Sequence, residues 1–254
     1  MRHVKWISAC MAVAVSVCTL AQTKAGKKAG ELTSASAHAA YFIDMTVLDV
    51  RPLVPLPPAQ ESATTKEELA VIHGVERTRT AEQVAAAQAD DKEEDIFSYR
   101  SVLGDGFTAE ALPVTAALSA HVHNEESVIG SPLKSSFRRP RPYQYDNTLH
   151  PVCALNNEPT SYPSGHTLSG YLLAFTLTEI VPEKSQQILA RADDYAHNRI
   201  VCGVHYPSDL EASHRIAYIV FGYMMASPRF QKELAAARVE TRQHLGLPPA
   251  EPRP

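Results

Sequence analysis

Apolar positions in this chain recur at helical spacing and almost never alternate. Thr64-Thr65-Lys66-Glu67 reads as a capping box opening a helix that runs to about Gln88. A second helical pattern spans Phe107 to about Val128, with Pro113 early in it or kinking it. Thr167 to Ile180 is apolar nearly all round (Leu168, Leu172, Leu173, Phe175, Leu177, Ile180). That predicts a central, buried helix, ended by Pro182. Ser185 to Val201 predicts another helix, closed by Gly203. Ser208-Asp209-Leu210-Glu211 reads as a second capping box, opening a helix to about Met225, and Pro228 starts a last one ending near Leu245. Tyr41 to Val54 has no clear period, and Pro52, Pro55, Pro57 and Pro58 impose an extended course of the kind that wraps over a helical body. The pattern predicts an all-α, single-domain helical bundle with an extended Pro-rich N-terminal segment.

The first residues read differently. Arg2 and Lys5 precede an uncharged apolar run, Ile7 to Leu20, too short to span a bilayer comfortably, and Thr19-Leu20-Ala21 has the small residues of a cleavage site. The expected organisation is a signal peptide over 1–21, a disordered leader over 22–40 and one domain over 41–254, with the alternative that the first segment is a membrane anchor. The mature protein is then periplasmic or secreted and makes no membrane contact. The formal charge of −4 gives no reason to expect nucleic acid as a partner, so any basic cluster is local, as a small anionic ligand requires. Cys10 and Cys18 fall in the signal. Cys153 and Cys202 remain, an even pair in an oxidising compartment, which predicts a disulfide; the alternative is two buried free thiols.

Candidate chemistry lies between Lys134 and Asp209. Pro163-Ser164-Gly165-His166 opens the central helix, where unpaired N–H groups and the dipole favour phosphate, and Gly165 permits close approach. Arg199 follows Ile188, Ala192 and Tyr195 on a core-facing helix side and needs a partner there, either a ligand or a structural carboxylate. In His205-Tyr206-Pro207-Ser208-Asp209 the short turn places a carboxylate in a first helical turn beside an imidazole, the orienting arrangement of catalytic triads. The alternative is a capping aspartate beside an incidental histidine. Lys134 to Pro142 is densely basic, and Pro140 and Pro142 present Arg141 from a rigid extended segment, either toward an anion or as a solvated loop. No Asp/Glu/His set has the look of a two-metal site, so no metal or cofactor is expected.

Singly these features are ambiguous; their order is not. Lys134 with Arg141-Pro142, then Pro163 to His166, then Arg199, His205 and Asp209 resembles the tripartite signature of the phosphatidic acid phosphatase type 2 superfamily. The Pro-rich segment and the cysteine pair beside the motifs resemble its class A bacterial non-specific acid phosphatases. The resemblance implies hydrolysis of phosphate monoesters through a phosphohistidine on His205, with Asp209 orienting that ring. His166 would be the acid and then the base. Lys134, Ser164, Gly165, Arg141 and Arg199 would hold the phosphate. It also implies transfer to alcohol acceptors that compete with water. Asn198 stands where the family has serine, so fine geometry or preference is expected to differ; His214 is assigned no role. Rival readings are a vanadium-dependent haloperoxidase, a membrane lipid phosphatase and a non-catalytic phosphate-binding module. The physiological substrate and oligomeric state are left open, a homodimer being compatible with the helical faces.

Overall fold

The computed structural model describes residues 39–249. Of these, 66% are helical and none forms a strand, so the all-α expectation holds. The expected signal and nearly all of the expected leader lie outside the described residues.

The centre of the bundle is α6 (Gly165–Ile180), in which only His166 and Thr178 are not buried. An apolar run with no polar face has no orientation that leaves one side in water. It packs against α4 (Pro113–Phe137), α7 (Ser185–Val201), α8 (Pro207–Ala226) and α9 (Pro228–His244). Outside this group, α1 (Ala63–Thr78) and α2 (Ala81–Asp90) lie on α7. α3 (Arg100–Leu103) and α5 (Pro142–Tyr145) are single turns. Among the described residues no helix is long and apolar enough to cross a membrane.

Four sequence expectations are corrected. The helix expected from Thr64 to Gln88 is two helices. Thr80 accepts from the Gln83 N–H at 3.3 Å while the Gln83 side chain accepts from the Thr80 N–H at 2.8 Å, an internal capping box that restarts the chain. Arg79, left extended at the break, donates to the carbonyls of Val201 (2.6 Å) and His150 (2.7 Å), clamping the corner to the end of α7. The first cap is Ser62, not Thr64. The helix expected from Phe107 to Val128 begins at Pro113 and continues to Phe137, passing the exposed Pro132. Phe107 and Leu112 instead bury their side chains from the preceding loop. Lys134 is therefore helical, and Arg138 closes α4 in the left-handed region at φ 48°. The cap of α8 is Tyr206 rather than Ser208, with Asp209 in the first turn.

The Pro-rich segment does wrap the bundle. The Glu125 carboxylate accepts from the N–H groups of Tyr41 (2.6 Å) and Phe42 (2.7 Å), and Phe42, Leu48, Val50 and Val54 enter the main core. Arg51–Leu53 breaks its extended course with one 3₁₀ turn. Cys153 and Cys202 are joined as a disulfide across 49 residues, with their Cα atoms 5.2 Å apart.

Candidate active site

The N-terminus of α6 is fastened before it can bind anything. Ser164 is the N-cap, and its hydroxyl accepts from Thr167 N–H (3.4 Å) and Thr167 O–H (3.0 Å), which leaves its own O–H free to donate. Its N–H donates to the Asp209 carbonyl (3.3 Å), and its carbonyl accepts from Ser213 (2.8 Å), so α6 and α8 start from one joint. Gly165 is required by close approach. A Cβ there would lie 2.6 Å from Glu126 Oε1 and 2.7 Å from Lys134 Nζ. Gly165→Ala is therefore expected to displace Lys134, raise KM for any phosphate ligand at least tenfold, and leave the melting temperature nearly unchanged. Steady-state kinetics beside thermal denaturation checks this; an unchanged KM would show that the cradle tolerates a side chain.

His205 is held from both sides. Its Nδ1 lies 3.2 Å from Asp209 Oδ2, and its Nε2 lies 3.2 Å from Arg141 Nη1. A guanidinium only donates and an ionised carboxylate only accepts, so the partners assign the tautomer: Nδ1 carries the proton and Nε2 keeps its lone pair. Burial, and then Arg141, Arg199 and Lys134, push the imidazole well below its ordinary value, which keeps that lone pair unprotonated. Asp209 is completely buried, and burial pushes its carboxyl up. Opposing this, it accepts from Ser161 O–H (2.6 Å), Tyr206 N–H (2.8 Å) and Arg139 Nη1 (2.7 Å), all of which favour the ionised form.

Arg139 was read from the sequence only as part of a basic stretch. It is buried and carries Asp209. Its Nη1 also reaches Ser208 Oγ (2.7 Å), its Nη2 reaches Glu68 Oε2 (2.9 Å), and its guanidinium stacks 3.9 Å from the Tyr206 ring centroid. Glu68 in turn accepts from the Ser208 N–H at 2.6 Å, so α1 supports the start of α8.

Arg199 has the carboxylate partner that its position demands: Nη1 donates to Asp91 Oδ1 at 2.7 Å, just past the end of α2. Its Nε and that of Arg141 are buried without a partner among the described residues. Two buried guanidinium N–H groups with nothing to donate to are what an anion site requires. His166 lies 3.3 Å from the Asp91 carbonyl and 3.3 Å from Glu94 Oε1. Burial, followed by repulsion from Arg199, pushes it down to about 3. Lys134 Nζ lies 3.4 Å from Glu126 Oε1.

The residues expected from the sequence thus come together around the start of α6. Those it did not single out are carboxylates and their carriers: Glu68, Asp91, Glu94, Glu126, Arg139 and Ser161. The acidic run from Asp90 to Asp95 was a signal for two of them. Asn198 points away, donating to Asp90 at 2.7 Å beside Arg191, and so fastens α7 to α2. His214 stacks on Tyr171 at 3.9 Å, remote from these contacts. Among the described residues one group could approach a metal ion, Asp91 with Cys153 and Cys202, but both sulfurs are bonded to each other.

An all-α bundle whose central helix opens on a ring of cations around an oriented imidazole is an arrangement suited to a small anion. Residues 113–233 match the PAP2 superfamily. Over 112 residues it is 38% identical to the non-specific acid phosphatase of Salmonella typhimurium, covering 42% of this chain and 44% of that one. It is 31% identical over 153 residues to the acid phosphatase of Zymomonas mobilis, covering 55% and 57%. The chain spans about half the length of the curated relatives it matches. A solved transmembrane PAP2-type phosphatidylglycerolphosphate phosphatase from Bacillus subtilis is 15% identical with a TM-score of 0.49, over 66% of this chain and 87% of that one.

Proposed function

We propose that this protein is an exported acid phosphatase that hydrolyses phosphate monoesters through a phosphohistidine on His205, without a metal ion. The observation that carries the reading is the Nε2 lone pair of His205, aimed by Asp209 into the cradle of Lys134, Arg141 and Arg199. Nε2 forms the N–P bond as the bond from phosphorus to the ester oxygen breaks. His166 gives its proton to the departing alkoxide. Water then attacks phosphorus, yields a proton to His166, and the N–P bond breaks, releasing phosphate and neutral His205. The three cations, the Ser164 O–H and the Gly165 N–H carry the charge on the equatorial oxygens, the stabilisation that phosphoryl transfer chiefly needs. An alcohol in place of water gives phosphate transfer. The Cys153–Cys202 disulfide and the relatives named as acid phosphatases support export and the reaction class.

The pH dependence follows from His166. Its protonated form is disfavoured by burial and by Arg199, and the incoming phosphate charge offsets this by favouring the cation. The acid is therefore lost as pH rises, and an acidic optimum is expected. A chromogenic phosphate ester followed across pH, with and without a chelator, tests the reading. Turnover that falls above neutral pH and ignores the chelator is expected. No turnover at any pH, or activity abolished by the chelator and restored by a divalent cation, would sink it.

A further inference from the structure

The two unpartnered guanidinium N–H groups mark where phosphorus sits. Both belong to side chains at least nine-tenths buried: Arg141 is 9% and Arg199 3% exposed. With His205 attacking from one side, the ester oxygen leaves in line on the other, toward His166. That side of the pocket is acidic. Glu94 Oε1 stands 3.3 Å from His166 Nε2, and among the described residues this histidine is its sole ion-pair neighbour. Glu126 follows on, with Oε1 2.6 Å from the point a Gly165 Cβ would occupy. His123, Arg199 and Lys134 attract the Glu94 carboxyl, while Glu126 repels it. The third carboxylate of this wall, Asp91, is already neutralised by Arg199. Among the described residues Glu126 is ion-paired only with Lys134, the cation that the phosphate itself recruits, and accepts from the Ser127 hydroxyl. The site is thus divided: cations beneath the phosphate, and beside the leaving group carboxyls that share those cations with it.

From this division we infer that Glu94 and Glu126 select the leaving group, favouring phosphate monoesters whose alcohol portion carries a positive charge, such as aminoalkyl phosphates, and disfavouring those with a further anionic group. The inference rests on the phosphatase reading above. It goes beyond it by naming the substrate class. A cation a few ångströms from a partly buried carboxylate gains enough to change relative rates about tenfold, and a second anion loses a similar factor.

Three esters of nearly equal size isolate the charge: 2-aminoethyl, 2-hydroxyethyl and carboxymethyl phosphate. Their kcat/KM values are compared in the full-length protein and in Glu94→Gln and Glu126→Gln, near neutral pH, because burial raises the Glu94 carboxyl and a protonated carboxyl would not discriminate. The expected order is amino over hydroxyl over carboxylate, with the amino-to-hydroxyl ratio about tenfold. That ratio should fall toward unity in Glu94→Gln and partly in Glu126→Gln. Because it is taken within each variant, any general loss of activity cancels. A ratio near unity in the unmodified protein, or one that survives both substitutions, overturns the inference while hydrolysis of the neutral ester leaves the phosphatase reading standing. If the neutral ester is not hydrolysed either, the phosphatase reading fails and the inference falls with it.

Discussion

His205→Ala should remove phosphoenzyme formation entirely and lower turnover on the order of 10⁴-fold or more, the scale on which loss of a nucleophile acts. No other group of the site can replace it. His166, the other imidazole of the site, is taken up by the Asp91 carbonyl and Glu94. The substitution should cost little in fold, because the cap of α8 does not use the ring: the Tyr206 N–H still donates to Asp209, and Ser161 and Arg139 still hold that carboxylate. Acid-quenched labelling with a radioactive phosphate ester, run beside thermal denaturation, distinguishes the outcomes. Label that persists on a folded His205→Ala protein would place the nucleophile elsewhere.

Arg139→Met should be damaging in two separable ways. It strands Asp209, which is fully buried, and Glu68, which is nearly so. Removing one partner from such a buried set costs about 3–5 kcal/mol, which a chemical denaturation curve will register. The second effect is on chemistry. Without the guanidinium, burial raises the Asp209 carboxyl further, and a protonated Asp209 no longer accepts the His205 Nδ1 proton as an anion. The sign is determined: Asp209 acts only when ionised, so activity is lost as pH falls through its pKa, and a raised pKa moves that acidic limb to higher pH. We expect kcat to fall about 10²-fold, less than the 10⁴ seen when a triad carboxylate is itself neutralised, with the acidic limb displaced upward. Arg139→Lys should recover part of both losses. A stability defect with an unmoved acidic limb would make Arg139 merely structural.

Helix identity was legible from local pattern wherever the sequence was one-sided in its demands. α6 has no polar face to expose, so its burial and its place at the centre follow from its residues alone. α7 ends where expected because Gly203 takes a positive φ of 75°. The break at Arg79 was missed because Thr80 with Gln83 competes locally with an otherwise continuous helical pattern, and what stabilises the break is the distant carbonyl of Val201. Pro132 was harder still, since a proline inside a helix is tolerated only where the surrounding packing is already committed.

For the site, the sequence by itself determined the groups proposed to meet phosphate. Backbone N–H groups at a helix start, an imidazole with a carboxylate four residues on, and arginines at set intervals are short-range arrangements, readable from spacing. Only the tertiary structure decided what surrounds them: that Arg139 carries Asp209, that Asp91 takes Arg199, that Glu94 stands against His166 and that Glu126 stands against Lys134. The physical reason is desolvation. A buried charge must have a partner, and the spacing shows that the demand exists. Which of many carboxylates meets it depends on chain segments 70 or 108 residues away, brought near by packing that no local pattern encodes.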